Sequence, residues 1–146
     1  MTSIIETVEI ARSPEDVFAY LDKLDRHGEW QDGIVSAKID TEGPVRVGTR
    51  VTEVRKVPGG KRPISYEITA HDPPRTSSFR GTNGPVRAVG TVTVDPAGDG
   101  RSRVTIDLDF EGRGFGKLLL PLVRRDARKH VPPSQAKLKA RLEAGA

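Results

Sequence analysis

Residues 114–131 read GFGKLLLPLVRRDARKHV. Leu118, Leu119, Leu122, Val123, Ala127 and Val131 return close to the helical period and predict a long amphipathic helix with one apolar stripe. Just before it the period changes. From Arg103 to Glu111, Val104, Ile106, Leu108 and Phe110 alternate with Thr105, Asp107, Asp109 and Glu111. Alternation of this kind marks an antiparallel strand with one buried and one wet face. A curved sheet built from such strands must close around something, and this helix is the only segment long enough.

Toward the N-terminus the period-two pattern repeats. Strands are predicted over Val86–Asp95, Thr76–Thr82 and a segment ending at His71. That last segment places Ile64, Tyr66, Ile68 and Ala70 on one face, with Ser65, Glu67, Thr69 and His71 on the other. Further strands are expected over Val47–Val57 and Ile34–Ile39. The apolar phase of Val47–Val57 slips between Val51 and Val54 and suggests a bulge or a change of exposure there. Turns fall at Pro58–Lys61, Asp72–Pro74, Asn83–Pro85 and Pro96–Gly100. The first strand runs from Ser3 to Ile10. Ser13 then caps a short helix, with Pro14 at its first position and Glu15 and Asp16 complementing the dipole. Residues 26–32 carry a second helical turn with Trp30 inward. Pro121 should kink the long helix or limit its first turn, and Pro132-Pro133 interrupts it before a last piece that Ser134 can cap, so that residues 114–143 form either one bent helix or two. The order is one strand, one or two short helices, six strands and one long helix, an α+β arrangement.

The chain has 146 residues and a formal charge of +4, from 24 basic and 20 acidic side chains. That fits one domain with one core. No apolar run approaches the ~20 residues that span a bilayer. MTSIIETVEI carries Glu6 and Glu9 and does not read as a signal peptide, so cytoplasmic residence is expected. With no cysteine, disulfides, thiol nucleophiles and cysteine metal sites are excluded.

VEIARSPEDVFAYLDKLDRHGEW, VGTRVTEVR, ITAHDPPRTSSFRG, SRVTIDLDFEG, GFGKLLLPLVRRDARK and LKARLE follow one another in an order and spacing that span nearly the whole chain. In these pieces the chain resembles the START-like (SRPBCC) superfamily, the helix-grip fold, in its small polyketide cyclase/dehydrase-like branch. The resemblance implies one domain over residues 1–146, in which a curved seven-stranded antiparallel sheet wraps around a long C-terminal helix with an apolar cavity between them. Members bind lipids, sterols, polyketides or plant hormones, and a few are cyclases or aromatases. Membership does not fix the chemistry.

The residues supply candidates for that space. Small residues at Ala70, Ala88 and Gly90 leave volume on the inward face. Trp30, Tyr66, Phe79, Phe110 and Phe115, with Leu119, Leu122 and Val123 of the helix, are the expected ligand-binding set. Tyr66 leads it, because a phenol on an apolar face needs a partner. The catalytic inventory is thin. His27, His71 and His130 lack metal-pair spacing, so no metal or cofactor is expected. His71 falls on the polar phase and reads as a surface side chain, while His130 is placed to cap carbonyls at the helix end. Asp107 and Asp109 read as solvated. Gly112–Lys117 has phosphate-loop glycines but no closing Ser or Thr, and reads as a strand-to-helix corner.

Three functions follow, in order. The first is binding of a hydrophobic small molecule (lipid, sterol or polyketide-like) between sheet and helix, by a monomer or weak homodimer with no nucleic-acid partner. The second is a cyclase, aromatase or dehydratase in the same space, with Tyr66 or His27 as proton donor. The third is a protein or RNA interaction module using Arg124, Arg125, Arg128 and Lys129, expected on the outer face of the helix.

Overall fold

The computed structural model describes residues 3–57 and 59–146. Pro58, the first residue of the expected Pro58–Lys61 turn, lies outside the described residues, as do Met1 and Thr2. Strand β1 (Ile4–Ile10) leads into helix α1 (Pro14–Leu21) and a short 3-10 helix (Leu24–Glu29). Strands β2 (Ile34–Ile39), β3 (Arg50–Val57), β4 (Gly60–Asp72), β5 (Thr76–Gly81), β6 (Val86–Pro96) and β7 (Ser102–Gly112) follow, then helix α2 (Gly116–Glu143). All seven strands form one antiparallel sheet in the order β1-β7-β6-β5-β4-β3-β2. This is the expected helix-grip arrangement.

Local chemistry sets the element ends. The Ser13 hydroxyl accepts from the Asp16 backbone N–H at 3.2 Å, with Pro14 in the first turn of α1. The corner into α2 is built on close approach. A Cβ on Gly116 would lie 2.0 Å from the Pro85 carbonyl oxygen, so only glycine lets the helix start against β6.

Two departures from strict alternation decide what faces inward. The β3–β4 register is unbroken, and the irregularity read at Val51/Val54 sits in the partner strand β2, between Ile34 and Ser36. Beyond buried Val51, the inward phase of β3 therefore continues with the charged residues Glu53 and Arg55. In β4 the register shifts between Ile68 and Ala70. Thr69 takes up the extra position, Ala70 is exposed instead of inward, and His71 turns in instead of out.

Helix α2 also departs from expectation. Of the two forms left open it takes the single helix, unbroken through Pro132 and Pro133, and the departure lies in which side it seats. Pro121, Pro132 and Pro133 are all exposed, so water can satisfy the carbonyls left without donors. One unbroken helix has one seating line. Leu138 and Leu142 are fully buried with Ile10, Val17, Phe18, Trp30, Val94 and Val104, and Gln135 Nε2 donates to the Glu6 carbonyl at 3.0 Å. Stepping back from these residues by three and four gives Val131, Ala127, Arg124 and Leu120. The stripe containing Leu118 and Leu122 lies on nearly the opposite side. Phe115, Leu118, Leu119 and Leu122 are 68%, 83%, 38% and 57% exposed. His130 is therefore mid-helix, with Nδ1 2.8 Å from the Asp126 carbonyl oxygen.

The helix end is tied down. Arg12 donates to the Leu142 and Ala146 carbonyls, and the Ala11 N–H donates to Glu143 Oε2. Among the described residues no helix is long and apolar enough to cross a membrane.

Candidate functional site

Coverage of the concave sheet face grades from one end to the other. Under the C-terminal half of α2, Val94 and Val104 are fully buried. Along the same two strands toward the start of α2, Ala88 and Phe110 are only partly buried, as is Phe79 on the adjacent strand. The grip is tight at one end and looser at the other. Gly90 does not leave empty volume at this point. A Cβ there would stand 2.7 Å from the Phe79 ring, so the ring occupies the space a side chain would take.

Beside this floor lies a polar cluster on β3 and β4. Glu53 is 2% exposed, and its Oε2 accepts from Arg55 Nε at 2.8 Å. Arg55 also donates to Gln31 Oε1 at 2.6 Å. Tyr66 packs in the second core cluster with Leu24, Val51 and Ile68, its ring 5.4 Å from that of Phe79. Burial first, and then the Glu53 carboxylate, push the Tyr66 phenol well above its ordinary range. It is a hydrogen-bond donor at any physiological pH.

His27, in the 3-10 helix, is partly buried, with Nε2 2.7 Å from the Leu21 carbonyl oxygen. The Nε2–H must donate, which leaves Nδ1 as a lone-pair acceptor. Burial holds the ring below its ordinary range, so it is neutral at pH 7. Its ring lies 5.2 Å from Trp30, and buried Trp30 Nε1 has no hydrogen-bond partner among the described residues. An orphaned buried donor is costly and needs an account.

His71 corrects a sequence expectation. Its side chain is 10% exposed, with Nε2 2.8 Å from Asp22 Oδ2. Asp109 is likewise not simply solvated: it is partly buried and accepts from Arg124 Nε at 3.1 Å. Arg124 donates to the Phe110 carbonyl too, and so leaves the outer basic face to which the sequence assigned it.

Of the expected ligand-binding residues, Trp30 and Tyr66 are buried, Phe79, Phe110 and Val123 are partly buried, and Phe115, Leu119 and Leu122 are exposed. The structure thus separates Phe115 and Leu122 from the inner group. Glu53, Arg55 and Gln31 were missed. The strict phase of Val51 was the available signal, since it forces Glu53 inward. Two surface clefts of about 270 and 380 Å³ are present, and Phe79 and Gly90 of this floor also line the larger one. One is bounded by the 3-10 helix and β2, the other by Thr91, Asp107 and their neighbours on the outer sheet face. Among the described residues no acidic, histidine or cysteine group could hold a metal.

This geometry, a seven-stranded sheet gripping one long helix, defines a START-like protein. Residues 1–143 match the family model described as polyketide cyclase / dehydrase and lipid transport, and the chain belongs to that family. An uncharacterized protein of Mycobacterium tuberculosis is 28% identical over 123 residues, covering 81% of this chain and 83% of its own. Among solved structures, the Zhui aromatase/cyclase from a Streptomyces species superposes with a TM-score of 0.83 at 15% identity, over 99% of this chain and 98% of that one. A START superfamily protein from Mycobacterium smegmatis gives 0.79 at 16% identity, over 99% of both chains. A protein from Thermus thermophilus gives 0.80 at 23% identity, again over 99% of both. At these identities the structural likeness speaks for the fold alone.

Proposed function

We propose that the protein binds a hydrophobic small molecule, of lipid, sterol or polyketide-like class, between the concave sheet and α2. The observation that carries this reading is the graded coverage of the floor. Phe79, Ala88 and Phe110 are left partly open beside buried Tyr66 and Glu53, the latter paired with the partly exposed Arg55. An apolar surface with few convergent polar groups, one of them with a strongly shifted pKa, is the usual make-up of a ligand site. The apolar body would lie on Phe79, Phe110, Leu119 and Val123. A carbonyl or hydroxyl at its end would accept from the Tyr66 phenol. The reading takes residues 1–146 as one START-like domain, acting as a monomer or weak homodimer in the cytoplasm.

The test is fluorescence of Trp30, the only tryptophan, titrated with fatty acids, sterols and aromatic polyketide mimics. Saturable quenching by one class, weakened by Tyr66→Phe, supports the reading. Absence of binding by every class overturns it.

A cyclase or dehydratase in the same space is the second reading, supported by neutral His27, whose Nδ1 has no hydrogen-bond partner among the described residues. Tyr66 is a poor proton donor, because its proton is held more tightly than usual. On this reading His27 is the base, and turnover of a poly-β-ketone mimic that survives His27→Ala removes it from the mechanism.

A further inference from the structure

The first two turns of α2 present an apolar surface to solvent that the grip does not use. Phe115, Leu118 and Leu122 lie on the side turned away from Leu138 and Leu142, and Leu118 is 83% exposed. Large side chains grouped in this way are unusual unless something covers them. Their surroundings are predominantly cationic. Arg113, Lys117, Arg125, Arg128 and Lys129 are exposed, and among the described residues none forms an ion pair with a carboxylate. The one acid on the helix before Glu143 is Asp126, beside His130 at 3.5 Å. By period, Arg125 and Lys129 continue the Leu118–Leu122 side directly.

We propose that this part of α2 docks on an anionic lipid surface. Phe115, Leu118 and Leu122 would enter the boundary between headgroups and acyl chains, and the five cations would meet lipid phosphates. An amphipathic helix with leucine and phenylalanine on one side and flanking lysine and arginine is suited to lying in that interface. Charge separates this occupant from the others. A second copy of the chain would bring two rings of unpaired cations together, so a symmetric contact repels itself. RNA would satisfy the cations but would leave two leucines in water, with Phe115 as the only ring to stack on a base. The surface stands independently of what the groove binds. Through Leu119 and Val123 it adjoins the loosely covered end of the grip, so a docked protein would hold that end near the bilayer.

The experiment is co-sedimentation of the full chain with phosphatidylcholine vesicles, with and without phosphatidylglycerol. Binding is expected only with phosphatidylglycerol, and it should weaken as salt rises. Leu118→Ser with Leu122→Ser should lower vesicle affinity roughly tenfold or more. Arg125→Gln with Lys129→Gln should lower it about fivefold per removed cation. Both variants carry changes on exposed positions, so an unchanged melting curve and unchanged Trp30 quenching in vesicle-free solution separate this result from failure of groove binding. Equal binding to neutral vesicles, no binding to either kind, or full binding by the leucine variant overturns the proposal. So does a dimer in solution that the leucine variant dissolves, or RNA retention at physiological salt without vesicle binding.

Discussion

His71 Nε2 lies 2.8 Å from Oδ2 of Asp22 and 3.1 Å from Oδ1. The pair joins the inner face of β4 to the C-terminal cap of α1, and the His71 ring also meets Phe18 at 5.6 Å between centroids. It exists because of one register shift. Without the extra position at Thr69, His71 would point into solvent and α1 would lose this charged tie to β4. The partly buried Asp22 carboxylate has its pKa raised by burial, an effect that the hydrogen bond from His71 offsets in part.

Removing the histidine should therefore cost more than a surface change does. His71→Ala deletes the ring contact and leaves a partly buried carboxylate without its donor, which should lower unfolding stability by about 2 kcal/mol at pH 7. Asp22→Asn keeps an oxygen acceptor and removes the charge. A raised carboxyl pKa means stability that is full below the ordinary Asp range and is lost as pH rises through the folded value. Asn cannot ionise, so the variant should compare better with the parent at pH 7 than at pH 3. Urea unfolding of both variants checks this. A His71→Ala protein as stable as the parent would show the pair to be idle.

The same register shift shows where the sequence stopped being legible. Period two located every strand, because one face of this sheet is apolar over most of its length. Alternation cannot reveal a single inserted residue, since Thr69 and Ala70 suit either face. Glu53 escaped for the opposite reason: the strict phase of β3 buries it, but a carboxylate reads as surface until its partner Arg55 is seen beside it. On α2 the leucines at 118 and 122 outweighed the sparser Leu138 and Leu142. Which of the two lines seats the helix depends on the helix surviving Pro132-Pro133, and that is settled by exposure of the prolines rather than by their identity. That Tyr66 lies on the inner face was legible because β4 alternates cleanly up to that point, and its ring meets that of Phe79 there.

His27 gives an acid-side prediction. Burial holds its ring below the ordinary histidine range. The unfolded chain therefore takes up a proton in mild acid that the folded chain refuses. Stability should be fully present above about pH 6.5 and should decline as pH falls toward the folded value. His27→Gln, which can still donate to the Leu21 carbonyl, should flatten that decline. Thermal unfolding across pH 7 to 5 measures it, and identical slopes in parent and variant would assign the decline to other groups.

Tyr66 separates binding from folding. Its phenol sits beside Glu53, which keeps Arg55 as an ion-pair partner whether or not the hydroxyl is present. Tyr66→Phe preserves the ring packing on Phe79 and should cost under about 1 kcal/mol of stability. Affinity for an apolar probe bearing a carbonyl should fall roughly tenfold, while a pure hydrocarbon probe should bind the variant and parent alike. An equal loss for both probes would mean that the phenol shapes the floor and does not recognise a polar group.

Two glycines at the β7–α2 corner are required for different reasons, and the difference is measurable. Gly114 has φ +56° with nothing within 4 Å of a would-be Cβ, so alanine there meets only backbone strain. Gly116 carries no such φ, but its Cβ would strike the Pro85 carbonyl oxygen at 2.0 Å and the Pro85 carbonyl carbon at 2.6 Å. Backbone cannot step aside as a flexible side chain can, so the first turn of α2 must lift from β6. Alanine improves intrinsic helix propensity by ~1 kcal/mol, which opposes the clash without cancelling it. Gly114→Ala should cost about 1 kcal/mol and Gly116→Ala about 3 kcal/mol in urea unfolding. Lifting the first turn also moves Leu119 and Val123, so Gly116→Ala should weaken apolar-probe binding while Gly114→Ala leaves it nearly unchanged. Equal costs at the two positions would mean that the helix start is free to shift, and that the grip is not fixed at this corner.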